Sequence, residues 1–168
     1  MEKQRTTVPI AIVGYLSAIV AANLLIVQFG PSVSIINAFL FIGLDITIRD
    51  YLHDEWQDNL LLKMLSLIFA GSILSYALNY EAANIAIASF SAFLLAGLTD
   101  TLAYKLLGNK AKLIKINGSN VVSAAVDSVV FPIMAFGSPV LWWVVFGQFV
   151  AKVFGGGVWS IVISCRSK

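Results

Sequence analysis

Apolar residues in this chain fall in long continuous blocks separated by short polar stretches. Strict alternation, the mark of a half-buried strand or a transmembrane barrel, is absent. Six blocks can be placed, at about 8–28, 32–48, 60–80, 83–107, 119–137 and 140–163. Each has about the length a helix needs to cross a hydrocarbon core roughly 30 Å thick. The pattern predicts an all-α polytopic membrane protein, with residues 1–168 forming a single six-helix transmembrane domain.

The breaks between blocks carry the turn and interface signals. Gly30-Pro31 and Gly137-Ser138-Pro139 read as tight turns. The polar stretch RDYLHDEWQDN, Arg49 to Asn59, holds Tyr51 and Trp56, residues suited to a membrane interface. The link around Glu81 is so short that its two helices must be antiparallel neighbours. Ala21, Ala22 and Asn23 imitate a signal-peptide cleavage site, but the apolar run continues through Leu24 to Phe29. The first block therefore reads as a retained span.

Composition agrees with the pattern. Of 168 residues, 59% are hydrophobic and 12% charged, and mean hydropathy is +0.88. A water-soluble domain is usually near a quarter charged. The net charge of +2 matters less than its distribution. The segment KLLGNKAKLIKING, Lys105 to Gly118, has four lysines and no acid, and basic loops stay on the cytoplasmic side. With both termini inside, Lys3, Arg5, Arg49, Lys63, Lys105, Lys110, Lys112, Lys115, Arg166 and Lys168 all lie at inside positions. The expected location is the cell membrane, multi-pass, with cytoplasmic termini.

Several classes are set aside. A single cysteine, Cys165, and a single histidine, His53, leave no thiolate or zinc cluster. No GxxxxGK[ST] motif is present, so ATP is not hydrolysed by a P-loop. Neither an enzyme nor a nucleic-acid binder is expected, and no cofactor or metal is called for.

The informative residues are the charged and amide side chains inside the apolar blocks. An ionised group at mid-membrane costs about 2.5–3.5 kcal/mol on insertion scales unless it is sheltered or paired. In the fifth block Asn120, Ser123 and Asp127 are spaced three and four apart and so share a helix face. In the sixth, Gln148 and Lys152 are four apart. Counted from opposite ends of antiparallel helices, Asp127 and Lys152 have matching depths. A salt bridge between them, direct or through a bound substrate, is the simplest way to keep both charges; an assembly clasp is the structural alternative. Asp45 and Arg49 form an i,i+4 pair at the inner end of the second block. Asp100 lies near the cytoplasmic end of the fourth, between Thr99 and Thr101 and four residues before Tyr104. Asn23 and Asn37 are cheaper to bury and read as helix links. The run Gly155-Gly156-Gly157 suggests either an unwound segment of the kind that lines transporter sites or close helix packing. Pro132 frees a backbone carbonyl and favours a bend. Phe90, Phe93, Trp142, Trp143 and Trp159 could stack on a planar ligand or simply face the membrane.

Four of these motifs, in this order, resemble a known family. NVVSAAVDSVVFPIMAFG, Asn120 to Gly137, is similar to the fifth-helix signature of the queuosine precursor transporter family, also called the vitamin uptake transporter family. DITIRDYLHD, Asp45 to Asp54, resembles the end of its second helix. Thr99-Asp100 with Tyr104, and Gln148 with Lys152, resemble its fourth- and sixth-helix motifs. The chain departs from the family in being short, and its acidic-aromatic-glycine pattern after the second helix appears only as Arg49-Asp50-Tyr51.

The resemblance implies a fold like the membrane-embedded substrate-binding subunits of energy-coupling uptake systems. It also implies import of a 7-deazaguanine, 7-cyano- or 7-aminomethyl-7-deazaguanine, used to make queuosine. The implied site residues are Asp127, Ser123, Asn120, Asp100, Gln148 and Lys152, to which Asp45 and Arg49 are added from their placement. The expected partners are a small planar heterocycle, the lipid bilayer, and either a second copy of the chain or an energising subunit. Two alternatives stand beside this reading: a vitamin- or nucleobase-binding subunit that needs a separate energising partner, and a structural membrane subunit.

Overall fold

The computed structural model describes residues 2–56, 58–108, 110 and 112–166. It is helical almost throughout. Helix α1 (Glu2–Phe29) is followed by a long irregular rod. This rod begins with a 3-10 turn (Pro31–Val33) and helix α2 (Ser34–Asn37), passes through a π-helical turn (Ala38–Ile42), and continues as α3 (Gly43–Glu55). Then come α4 (Leu60–Leu78), a 3-10 turn (Tyr80–Ala82), α5 (Ala83–Leu106), α6 (Lys112–Phe136) and α7 (Trp142–Arg166). The polar stretch after Arg49 is thus helical as far as Glu55. Much of the basic segment Lys105 to Gly118 is helical too, because α6 already starts at Lys112. His53, Cys165, Lys3, Arg5, Lys112, Lys115, Arg166 and Lys168 have side chains outside the described residues.

Neighbouring rods close a ring. α1 packs on α4, α4 on α5, α5 on α6, α6 on α7, α7 on the α2–α3 rod, and that rod back on α1. The distribution of polarity around this ring is the reverse of that in a soluble bundle. Ile10, Val13, Phe69, Leu78, Leu102, Trp142, Phe146 and Phe154 are exposed on the outside. Asn23, Asn37, Asp45, Arg49, Asp127, Gln148 and Lys152 are buried inside. Water has no reason to select that arrangement, but a bilayer does, since lipid chains tolerate apolar side chains and ionised groups must be sheltered. Four helical stretches are long and apolar enough to cross a membrane: Val8–Phe29, Pro31–Arg49, Tyr80–Leu106 and Asn117–Phe136. Leu62–Leu78 is a shorter apolar helix, and α7 is diluted by Gln148, Lys152 and its glycines. The chain is an all-α, multi-pass membrane protein.

Apolar packing supports the ring at two levels. Tyr15, Ile19, Ile48, Leu52, Met64, Ile68 and Phe93 join α1, α3, α4 and α5. Ile26, Ala88, Ala92 and Phe131 join α1, α5 and α6.

The glycine run does not unwind α7, which stays helical from Trp142 to Arg166. Its role is close approach. A Cβ on Gly155 would strike the backbone of Phe39 in the π turn, and a Cβ on Gly43 would lie 2.7 Å from the Gly155 carbonyl carbon. Two backbones therefore meet with no side chain between them. The contact is fixed by Trp159 Nε1, which donates to the Leu40 carbonyl at 2.9 Å, and by Thr47 Oγ1, 3.3 Å from the Gly156 carbonyl.

Gly43→Ala and Gly155→Ala are predicted to lower the thermal midpoint in detergent by several degrees, corresponding to roughly 1–3 kcal/mol of overpacking. Gly157→Ala, with nothing within 4 Å of its added Cβ, should leave the midpoint unchanged or raise it. Equal midpoints for all three variants would contradict the seam.

Candidate functional site

The ring encloses a narrow cavity of about 20 Å³, roughly the room of a single water. Its wall comes from five rods: Ala22, Asn23 and Ile26 on α1; Ser34, Asn37, Ala38 and Ile42 on the irregular rod; Ser89 and Phe93 on α5; Asp127 and Phe131 on α6; Gln148 and Lys152 on α7.

Lys152 organises the charged wall. Its Nζ lies 2.7 Å from Asp127 Oδ2, the pairing that the matched depths of the two residues imply. It also donates to Gln148 Oε1 at 3.1 Å. Both Lys152 and Gln148 are 2% exposed, so water does not screen these contacts. Pairing removes most of the cost of holding either charge in a low-dielectric interior. Asp127 and Phe131 are four apart on α6, which puts an acid and an aromatic ring on one face of the cavity.

The opposite wall is built from amides and hydroxyls. Asn23 Nδ2 donates to Ser75 Oγ at 3.0 Å, and Asn23 Oδ1 accepts from Ser89 Oγ at 2.8 Å. One amide thus ties α1 to α4 and α5. Asn37 Nδ2 donates to the Ala22 carbonyl at 2.9 Å, tying the irregular rod to α1. Asn23 and Asn37 do link helices, and both also line the cavity.

The other candidate residues lie apart from this wall. Arg49 Nη2 donates to Asn120 Oδ1 at 3.2 Å, which ties α3 to α6, and Ser123 Oγ donates to the Asn120 carbonyl at 3.1 Å. Asp45, four residues before Arg49, is 1% exposed. Tyr15 on α1 is likewise buried, at 1% exposed. Asp100 is half-buried on α5, and its Oδ1 has no hydrogen-bond partner among the described residues. The Thr99 and Thr101 hydroxyls bond back to the carbonyls of Leu95 and Gly97. Asp127, Gln148 and Lys152 therefore share one cavity, while Asp45, Arg49, Asn120, Ser123 and Asp100 are not among its lining residues. Among the aromatic candidates, Phe93 lines it. Trp142 and Trp143 face outward, and Trp159 belongs to the glycine seam.

Ser34, Ser89 and Phe131 complete the wall without having been singled out in the sequence. Ser89 carried no signal, because a serine in an apolar run is common. Phe131 stood within the fifth-helix motif as one more aromatic residue of an apolar run. Among the described residues no group of His, Cys, Asp and Glu could hold a metal ion.

A family model described as "Putative vitamin uptake transporter" matches residues 10–163. This match spans most of the chain, all of the cavity included, and the protein belongs to that family of membrane transporters. Neither the curated proteins nor the solved structures gave a match.

Removing one partner of the buried pair leaves an uncompensated charge, which costs about 3–5 kcal/mol in soluble proteins. Lys152→Met should therefore lower the thermal midpoint markedly, and the double variant Asp127→Leu with Lys152→Met should recover most of the loss. A double variant less stable than Lys152→Met would show that the pair is not an isolated electrostatic unit.

Proposed function

We propose that this protein imports a 7-deazaguanine queuosine precursor, such as 7-cyano- or 7-aminomethyl-7-deazaguanine, across the cell membrane. The observation that carries the reading is the Asp127–Lys152–Gln148 array on the wall of a membrane-buried cavity, in a member of a vitamin uptake transporter family. Such a heterocycle is flat and nearly apolar on its faces, while its edge is dense in donors and acceptors. The cavity lining has the matching division: Phe93, Phe131, Ile26 and Ile42 for the faces, and a carboxylate and amides for the edge; the rods part to admit the heterocycle.

The chemistry assigns the roles. The amino group and ring N–H of the pyrimidine half form an amidine-like pair of donors, which a carboxylate accepts well. Asp127 is the acid for that edge, since Asp100 does not line the cavity. Lys152 holds Asp127 oriented, and Gln148 contributes an amide to a neighbouring atom. Asn120, Arg49 and Asp45 lie on the path to the cytoplasm, one polar layer below. In this reading all six rods span the bilayer, with both termini cytoplasmic. The family's description as vitamin uptake also favours a second reading, a substrate-binding subunit working with a separate energising partner. Co-purification with a transmembrane coupling protein and ATPases would distinguish it.

In cells lacking their own synthesis and transport of the precursor, the wild type should take up labelled 7-cyano-7-deazaguanine. Asp127→Asn should reduce uptake by roughly two orders of magnitude at equal membrane insertion, because each hydrogen bond to a charged group contributes about 1.5–3 kcal/mol. Normal uptake by the inserted variant would remove Asp127 from the site. For topology, in a Cys165→Ser background, Glu81→Cys should react with an impermeant thiol reagent applied outside intact cells. Lys110→Cys should react only after the membrane is opened, and the reverse pattern would invert the protein.

A further inference from the structure

The two asparagines on the cavity wall are not equivalent. Asn23 is engaged at both ends, with its Nδ2 donating to Ser75 and its Oδ1 accepting from Ser89. Ser75 Oγ itself donates to the Gly71 carbonyl, so the orientation of the Asn23 amide is fixed and both of its ends are held by protein. Asn37 is only half used. Its Nδ2 donates to the Ala22 carbonyl, an acceptor that admits only the nitrogen end of the amide. Its Oδ1 has no hydrogen-bond partner among the described residues and belongs to a side chain that lines the cavity. Gln148 shows the complementary case. Lys152 holds its Oε1, which leaves the Nε2 donors, and Lys152 occupies Asp127 Oδ2, which leaves Oδ1.

The position of Asn37 follows from the packing of its rod on α7. A Cβ on Gly147 would strike Ile35, and one on Gly155 would strike Phe39. Asn37, midway between Ile35 and Phe39, therefore stands at the height of Gln148 and Lys152. Its side chain turns from that seam towards α1. Round the ring, the order is Asp127 on α6, Gln148 on α7 and Asn37 on the next rod. The wall thus offers carboxylate acceptor, amide donor and amide acceptor in sequence.

A deazaguanine presents the complement in one direction round its edge. The ring N–H and amino group come first, then an unprotonated ring nitrogen, then the pyrrole N–H. With the amidine edge on Asp127, the ring nitrogen accepts from Gln148 and the pyrrole N–H reaches Asn37. We propose that Asn37 restricts the cavity to free bases, its Oδ1 accepting the pyrrole N–H, the atom that carries the sugar in a nucleoside. This rests on the transport reading above and assigns Asn37 as a specificity-determining residue. A substituent on that nitrogen removes the donor and pushes against a side chain anchored to backbone. A buried acceptor left unpaired makes the rejection stronger than bulk alone.

The test is equilibrium binding to purified protein in lipid nanodiscs, comparing 7-cyano-7-deazaguanine with its derivative methylated at the pyrrole nitrogen. The wild type should prefer the unmethylated base by roughly tenfold or more. In Asn37→Ala, and in Asn37→Ser should the first not fold, the preference should fall to about unity. A merely structural role would weaken both ligands together and leave the ratio intact. An unchanged ratio in a folded variant overturns the proposal, as does a wild type that binds both ligands equally; in both cases the transport reading survives. A wild type that binds neither ligand overturns the transport reading and this inference with it.

Discussion

An ammonium and a carboxylate held 2.7 Å apart inside a ring of apolar helices set the conditions for the rest of this structure. Neither charge is stable alone at that depth, so α6 and α7 must keep their relative height wherever the protein is folded. Once they do, Gln148 is drawn in by Lys152 and one carboxylate oxygen is left over. The pair is also a poor choice if stability were the only requirement, because apolar residues of similar volume are often neutral or better. Substrate recognition, as proposed above, is one use for such a charged wall in a transporter.

The second constraint is backbone contact. The irregular rod reaches α7 at a π-helical turn, where Gly43 and Gly155 let two backbones meet. π turns interrupt the regular hydrogen-bond ladder and often sit near functional sites. Here the turn begins one residue after Asn37, so the same local irregularity that permits the close seam also sets the height of a cavity residue. The carbonyls it exposes do not go unused: Leu40 accepts from Trp159. Below the cavity, the Arg49–Asn120 bond links α3 to α6 across the ring. In the transport function proposed above, substrate leaving the cavity on that side would pass or open that layer.

Much of this was readable in the chain because a bilayer imposes simple rules. Apolar blocks mark the helices, and charges within those blocks mark the interior. The depth of Asp127 and Lys152 can be counted from the turns on either side of them. What was not readable depends on contacts between distant segments. Asn23 and Asn37 look alike in sequence, and only the partners Ser75, Ser89 and the Ala22 carbonyl separate an amide held at both ends from one held at its nitrogen. The three glycines allowed either unwinding or packing, and the choice was made by the Phe39 backbone opposite them. The basic segment after Lys105 looked like a loop because its charges obscured a helix that starts at Lys112. The grouping of Asp45, Arg49, Asn120 and Ser123 away from the cavity follows from the way the rods are arranged, which no helical period encodes.

Binding of a planar heterocycle at the buried charged wall is open to direct measurement. Calorimetric titration of 7-cyano-7-deazaguanine into nanodisc-embedded protein, wild type beside a folded Asp127→Leu with Lys152→Met, is the measurement to make, because the double variant removes both charges together and is expected to keep the fold. The account predicts saturable binding by the wild type and none by the double variant. Binding of equal strength by both would contradict it.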